Sequence, residues 1–144
     1  AEALQKLGSC SALVVHGSDG MDEITLTGVT HCAQLKNGEI TEFTLSPDDF
    51  GLSHIKGEDI LGGDAATNAK ALKNLLEGSP SAYRNIVLAN ASATLVLCGK
   101  TSDYKQGVAF AANAIDNGAA LKVLNDYIAF SNETGQRNWS KADE

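Results

Sequence analysis

The residues with the greatest chemical potential lie together in the run His16-Gly17-Ser18-Asp19-Gly20-Met21-Asp22-Glu23. Asp22 and Glu23 are adjacent carboxylates. On a strand they would point to opposite faces, whereas in a turn or a first helical residue both reach the same side. Paired hard oxygen donors of this kind suit magnesium, which binds through one or two carboxylates and completes its shell with water and phosphate oxygens. Gly17 and Gly20 let the backbone turn sharply and approach a ligand closely. An acidic pair in a turn is also an ordinary solvated surface feature. From the residues alone, both a metal site and a solvated turn stand.

Other candidates carry less. His16, at the end of an apolar run, is expected to hydrogen-bond neighbouring backbone and organise the turn. His31 falls in a predicted strand and His54 in a loop, and no HxxxH or Cys/His cluster offers a zinc site. Acidic residues do not recur at the alternate positions of an EF-hand loop. Gly99-Lys100-Thr101 imitates the end of a phosphate-binding loop, but position 94, where the first glycine would stand, is Thr94, and the lysine follows a helix instead of a strand. Gly62-Gly63-Asp64 reads as a turn and helix cap. Asn68, Asn85 and Asn90 interrupt otherwise apolar helical patterns. Buried amides must find partners, so these are expected to tie helix to loop.

The elements that position these residues can be read from periodicity. Ala1, Leu4 and Leu7 sit at helical spacing before Gly8, so the chain is expected to begin inside a domain. Ala12 to Gly17 is a short apolar run, expected as a strand buried on both faces of a parallel sheet. Ile24 to Leu35, rich in Thr, Val and Ile, reads as extended. Asn37-Gly38 is a hairpin signal, with Ile40 to Leu45 as the returning strand. Ser46 to Gly51 is a turn, followed by an irregular stretch to Gly63. Asp64 caps a helix with the stripe Ala65, Ala69, Leu72, Leu75 and Leu76, which Gly78 ends. Ser79-Pro80 repeats the start signal for a central, buried helix over about Ser81 to Cys98. Asp103 caps another, with Val108, Ala111, Ala112 and Ile115 on one face, and Asn117-Gly118 closes it. A last helix covers Ala119 to Phe130, and the polar run from Ser131 to Glu144 is expected to fray. The organisation is α/β: a few strands, then a helical C-terminal half. Residues 1–130 form part of one domain and 131–144 a polar tail.

Composition bounds the function. The 144 residues hold eleven basic and eighteen acidic side chains, a net charge of -7. That balance argues against nucleic acid as a partner. The longest nearly apolar run, Ile86 to Cys98, is too short to span a bilayer and predicts no membrane segment. Three widely spaced cysteines, Cys10, Cys32 and Cys98, are expected to be free thiols in a reducing cytoplasm.

Several segments match one family. VVHGSDGMDE (14–23) resembles the V-x-H-G-x-D-G-x-D-E signature of anthranilate phosphoribosyltransferase. GGDAATNAKALKNLLEG (62–78), NIVLANASATLVLCG (85–99) and GVAFAANAIDNGAALKVL (107–124) resemble later segments in the same order and spacing. The resemblance covers Ala1 to Phe130. It implies part of a nucleoside phosphorylase/phosphoribosyltransferase-type catalytic domain. The implied activity transfers phosphoribosyl from phosphoribosyl pyrophosphate to anthranilate in tryptophan biosynthesis and releases pyrophosphate. It further implies Mg2+ as cofactor, Asp22 and Glu23 as the metal pair through which the substrate is held, and a cytoplasmic homodimer. The family's glycine-rich pyrophosphate loop, main anthranilate-binding residues and dimerisation helices lie upstream of the segments matched here. No catalytic residue is therefore assigned in this chain, and alone it is expected to be inactive. A pyrimidine nucleoside phosphorylase-like enzyme and a non-catalytic nucleic-acid-binding relative are the alternatives.

Overall fold

The order of elements follows from two changes of period, from alternation in the first third to helical stripes in the rest. The computed structural model describes residues 1–135. Helix α1 (Glu2–Lys6) leads into strands β1 (Ser11–Gly17), β2 (Thr30–Lys36) and β3 (Glu39–Leu45). Helices α2 (Pro47–Phe50), α3 (Ala65–Leu76), α4 (Ala82–Leu97), α5 (Tyr104–Asp116) and α6 (Ala119–Gly135) follow, with a 3-10 turn at Gly57–Ile60.

The three strands form one antiparallel sheet in the order β1-β2-β3. The hairpin expected at Asn37-Gly38 is present, with φ of 52° and 82°, the left-handed pair that a two-residue turn requires. The fully buried parallel strand expected at Ala12–Gly17 is corrected. Among the described residues β1 is an edge strand, Val14 is 41% exposed and His16 is exposed. The reason is one-sided packing. Leu13 and Val15 turn towards the helices with Cys32, Phe43 and Leu45, while Val14, His16, His31, Glu42 and Thr44 line the other face.

The extended segment expected from Ile24 also changes form. Ile24, Thr25 and Leu26 are buried, at 2%, 1% and 0% exposure, but in irregular backbone. Side chains supply the hydrogen bonds that a neighbouring strand would have given. The Thr25 amide donates to Thr30 Oγ1 (3.1 Å) and the Thr27 amide to Thr25 Oγ1 (3.0 Å). The turn at Ser46 is a short helix, α2, whose start is held by Asp49 Oδ2, which accepts from both the Ser46 amide (2.7 Å) and the Ser46 hydroxyl (2.8 Å). It places Phe50 in the core beside Tyr104, with ring centroids 5.0 Å apart.

Helix starts follow the capping residues. Asp64, Ser81 and Asp103 each accept a backbone N–H of the first turn, from Thr67, Arg84 and Gln106. The cap of α4 is thus Ser81, two residues after the Ser79 expected from the Ser-Pro signal. Helix α3 is more peripheral than its stripe implied, with Leu75 its buried residue. Helix α4 is central. Its Ile86, Ala89 and Ala93 join the sheet-facing core, while Leu88 meets Leu75, Ala111 and Ile115 in a second cluster. Helix α6 continues through Ser131 to Gly135, so the break expected after Phe130 falls inside a helix. The rest of the expected tail, 136–144, lies outside the described residues.

Helices α4 and α5 approach closely at Gly107. A Cβ added there would stand 2.3 Å from Ser92 Oγ and 2.9 Å from the Ser92 Cα. Ser92 is fully buried and donates from Oγ to the Tyr104 carbonyl at 2.6 Å. Alanine gains about 1 kcal/mol over glycine in a helix interior, but overpacking against backbone costs roughly 1–3 kcal/mol. Gly107→Ala is therefore expected to destabilise the chain by on the order of 1 kcal/mol. Urea unfolding checks this, and an unchanged or raised midpoint would contradict the close approach.

Candidate functional site

The acidic run leaves the end of β1 and turns back on itself within a few residues. The Gly17 amide donates to the Met21 carbonyl (2.8 Å) and the Gly20 amide to the Gly17 carbonyl (2.9 Å). Two glycines are needed for different reasons. Gly20 has φ +92°, which side chains rarely adopt, and a Cβ on Gly17 would stand 2.5 Å from Asp19 Oδ1.

Asp19 staples the corner. Its Oδ2 accepts from Thr25 Oγ1 (2.6 Å) and Thr27 Oγ1 (2.5 Å), and its Oδ1 from the Met21 amide (3.1 Å). Burial pulls the Asp19 carboxyl upward, but these donors together outweigh it and hold the group below its ordinary value. His16, expected to organise the turn, makes no side-chain hydrogen bond among the described residues and stands exposed on the open face of the sheet. Asp19 takes the organising role because a carboxylate accepts several donors at once, whereas a neutral imidazole accepts one.

Asp22 and Glu23 follow the corner in bent, non-strand backbone. Asp22 is exposed and has no side-chain partner among the described residues. Glu23 is half-buried, and its Oε2 accepts a hydrogen bond from Asn90 Nδ2 on α4 at 3.0 Å. Burial raises the Glu23 carboxyl above its ordinary value, and the charge of Asp22 raises it further. The two acids therefore act on one another electrostatically at a single corner.

The same Asn90 amide donates to the Ile24 and Ile86 carbonyls (3.1 and 3.0 Å), and its Oδ1 accepts from the Ile24 amide (3.0 Å). It adjoins a small cleft of about 120 Å³ lined by Leu13, Val15, Ile24, Asn90, Ala93 and Thr94 together with Leu97. Neither acid lines the larger concavities on the sheet or beside α3. Among the described residues, no group of three or more His, Cys, Asp and Glu converges as a metal cage. Two carboxylates at an open corner still fit a cation that keeps several waters and takes phosphate oxygens for its remaining positions.

The other sequence candidates resolve as structural. Asn68 closes the Gly62-Gly63 turn, accepting from the Gly63 amide (2.8 Å) and donating to the Gly63 carbonyl (3.0 Å). Cys10, Cys32 and Cys98 are free, with Cys32 buried. Asn85 makes no side-chain hydrogen bond among the described residues, unlike Asn68 and Asn90. Sequence reasoning missed the roles of Asp19, Thr25 and Thr27. The short polar recurrence D-x5-T-x-T was their only signal. No described helix is long and apolar enough to cross a membrane.

Fold and corner together define a class. The pattern of the glycosyl transferase family, a/b domain, matches residues 1–121, and the chain belongs to that family. Within it, the chain is 53% identical over 131 residues to the anthranilate phosphoribosyltransferase of Rhodopseudomonas palustris (strain TIE-1), covering 91% of this chain and 39% of that protein. The enzyme of the same name from Nitrobacter hamburgensis is 50% identical over 132 residues, covering 92% and 39%. Among solved structures, anthranilate phosphoribosyltransferase from Thermus thermophilus superposes with a TM-score of 0.79 at 35% identity, over 90% of this chain and 38% of that one. The Saccharomyces cerevisiae enzyme in complex with PRPP and Mg shares the fold, with a TM-score of 0.79 at 23% identity over 85% and 35%. The chain thus spans about two-fifths of the length of these relatives.

The Asp19 staple sets a pH dependence. A carboxyl whose folded pKa is depressed stabilises the fold above its unfolded value, here 3.8, and that stability is lost as pH falls through the folded pKa. Denaturant unfolding between about pH 6 and about pH 2.5 should show Asp19→Asn less stable at the upper end and losing less on acidification than the parent chain. Parallel curves for the two would contradict the staple.

Proposed function

We propose that this chain is the C-terminal portion of an anthranilate phosphoribosyltransferase, in which Asp22 and Glu23 hold the Mg2+ that binds phosphoribosyl pyrophosphate. The observation that carries the reading is the mutual position of these two acids. They are fixed at the end of β1, next to each other, with one oxygen of Glu23 tied to α4 and the remaining oxygens free of protein partners among the described residues. Kinship with relatives of that name supports the substrate pair.

In this reading Asp22 and Glu23 would hold the Mg2+, which would supply charge neutralisation for the diphosphate leaving group. The protein's own part is positional. Asp19 fixes the turn and Asn90 fixes Glu23, so that the two acids present oxygen donors at one corner. The amine of anthranilate then forms the new bond to the ribosyl carbon as the bond from that carbon to pyrophosphate breaks, and the amine nitrogen gives up one proton to solvent. Neither anthranilate contacts nor a glycine-rich diphosphate loop is assigned to residues of this chain. The reading places both in the remaining three-fifths of the enzyme, with the helices of a homodimer, and the whole in the cytoplasm.

The 144-residue chain alone, given anthranilate, phosphoribosyl pyrophosphate and Mg2+, should form no phosphoribosylanthranilate. Turnover by the isolated chain would contradict the division of labour. In the protein extended to the length of its relatives, Asp22→Asn combined with Glu23→Gln should lower kcat/KM by about a hundredfold or more, the scale of several kcal/mol of charge stabilisation. An unchanged circular dichroism spectrum would accompany that loss. Full activity in the double variant would remove the acid pair from the mechanism.

A further inference from the structure

Asn90 is separated from Glu23 by 67 positions in sequence, yet its carboxamide is engaged at both ends by the acidic corner. Its Oδ1 accepts the Ile24 amide, and the two hydrogens of its Nδ2 are shared among three acceptors at 3.0–3.1 Å: Glu23 Oε2, the Ile24 carbonyl and the Ile86 carbonyl. With oxygen and nitrogen both committed to backbone, the amide cannot rotate without breaking bonds on both sides. The plane of the amide, and with it the side from which Nδ2 faces Glu23 Oε2, is therefore fixed. Glu23 Oε2 is occupied by this bond, while Oε1 takes no hydrogen bond from the described residues.

We infer that Asn90 is a positioning residue that makes Glu23 a single-oxygen donor and so biases the acid pair towards a small, rigidly octahedral cation. This inference rests on the reading that Asp22 and Glu23 hold a divalent metal. Mg2+ demands near-ideal octahedral geometry and is satisfied by one or two carboxylates with waters and phosphate oxygens. Ca2+ is larger, takes six to eight oxygens and readily uses both oxygens of one carboxylate. Bidentate coordination by Glu23 competes with the Asn90 bond for the electron density and orientation of Oε2. Removing the amide frees that oxygen, which weakens the orientation Mg2+ needs and opens the bidentate mode that favours Ca2+.

The test is calorimetric titration of inorganic pyrophosphate into the protein extended to the length of its relatives, with Mg2+ or with Ca2+ present. Loss of a hydrogen-bond partner to a metal-binding carboxylate weakens metal affinity by about 10- to 100-fold. Asn90→Ala is expected to weaken Mg2+-dependent binding on that scale and Ca2+-dependent binding much less. The Mg2+ over Ca2+ preference then falls by roughly tenfold. Asn90→Ser removes the amide without adding a charge beside Glu23; it should shift the preference in the same direction, and the unfolding midpoints of both variants guard against a folding defect. Equal losses with both cations would overturn the inference, since a purely structural role has no reason to discriminate them. Glu23→Gln separates the two levels. If it abolishes metal-dependent binding while the Asn90 variants do not change selectivity, the inference about Asn90 fails alone. If Glu23→Gln leaves Mg2+-dependent binding intact, the metal reading of the acid pair fails, and the inference with it.

Discussion

One side-chain amide joins the helical half of this molecule to its acidic corner. Asn90 lies on a helix whose neighbouring residues, Ile86, Ala89 and Ala93, are buried among apolar side chains. An amide in such surroundings costs about 1–3 kcal/mol if left unpaired. The segment Glu23-Ile24 supplies the missing partners, and in exchange its backbone gains a donor and an acceptor that no strand provides. Ile24, buried at 2% exposure, and the amide that brackets it then fix the position of Glu23 against α4. The carboxylate is a passenger on a backbone segment whose place is set by desolvation and hydrogen bonding together.

The corner is held from its other side by a carboxylate with a different task. Asp19 collects two hydroxyls and one amide, so its charge is consumed by the turn itself. Three acids within five positions thus divide by environment. Asp19 is saturated with donors, Glu23 is partly desolvated and half-satisfied, and Asp22 is exposed. Local hydrogen bonding, not residue type, decides which of them is available to a ligand. Behind them, the packing of α5 on α4 at the Gly107–Ser92 contact sets where α4 can lie, and hence where Asn90 stands.

Much of this was legible in the sequence because local chemistry agreed with global structure. The Asn37-Gly38 hairpin, the caps at Asp64 and Asp103, and the stripe Val108, Ala111, Ala112, Ile115 all depend on neighbours in sequence. What escaped depends on distant partners. The apolar run ending at Gly17 has the composition of a doubly buried strand, but burial is set by what packs on each face, and here one face is open. The Thr-rich segment from Ile24 has strand propensity, yet Thr25, Thr27 and Thr30 use their hydroxyls to satisfy an irregular path instead. Asp22 and Glu23 could be singled out from their spacing after a strand. That Glu23 would be bound by Asn90, and Asp19 by Thr25 and Thr27, required contacts 67 and 6–8 positions apart, respectively.

The central claim is that this corner presents Asp22 and Glu23 to a divalent cation carrying a diphosphate. A crystal structure of the protein at the length of its relatives, grown with Mn2+ and pyrophosphate, locates the cation directly through its anomalous scattering. The account predicts an anomalous peak at the Asp22 carboxylate and Glu23 Oε1, bridged to pyrophosphate oxygens, with Asn90 Nδ2 still bonded to Oε2. A diphosphate-bound peak elsewhere in the molecule, with both acids turned to solvent, would contradict it.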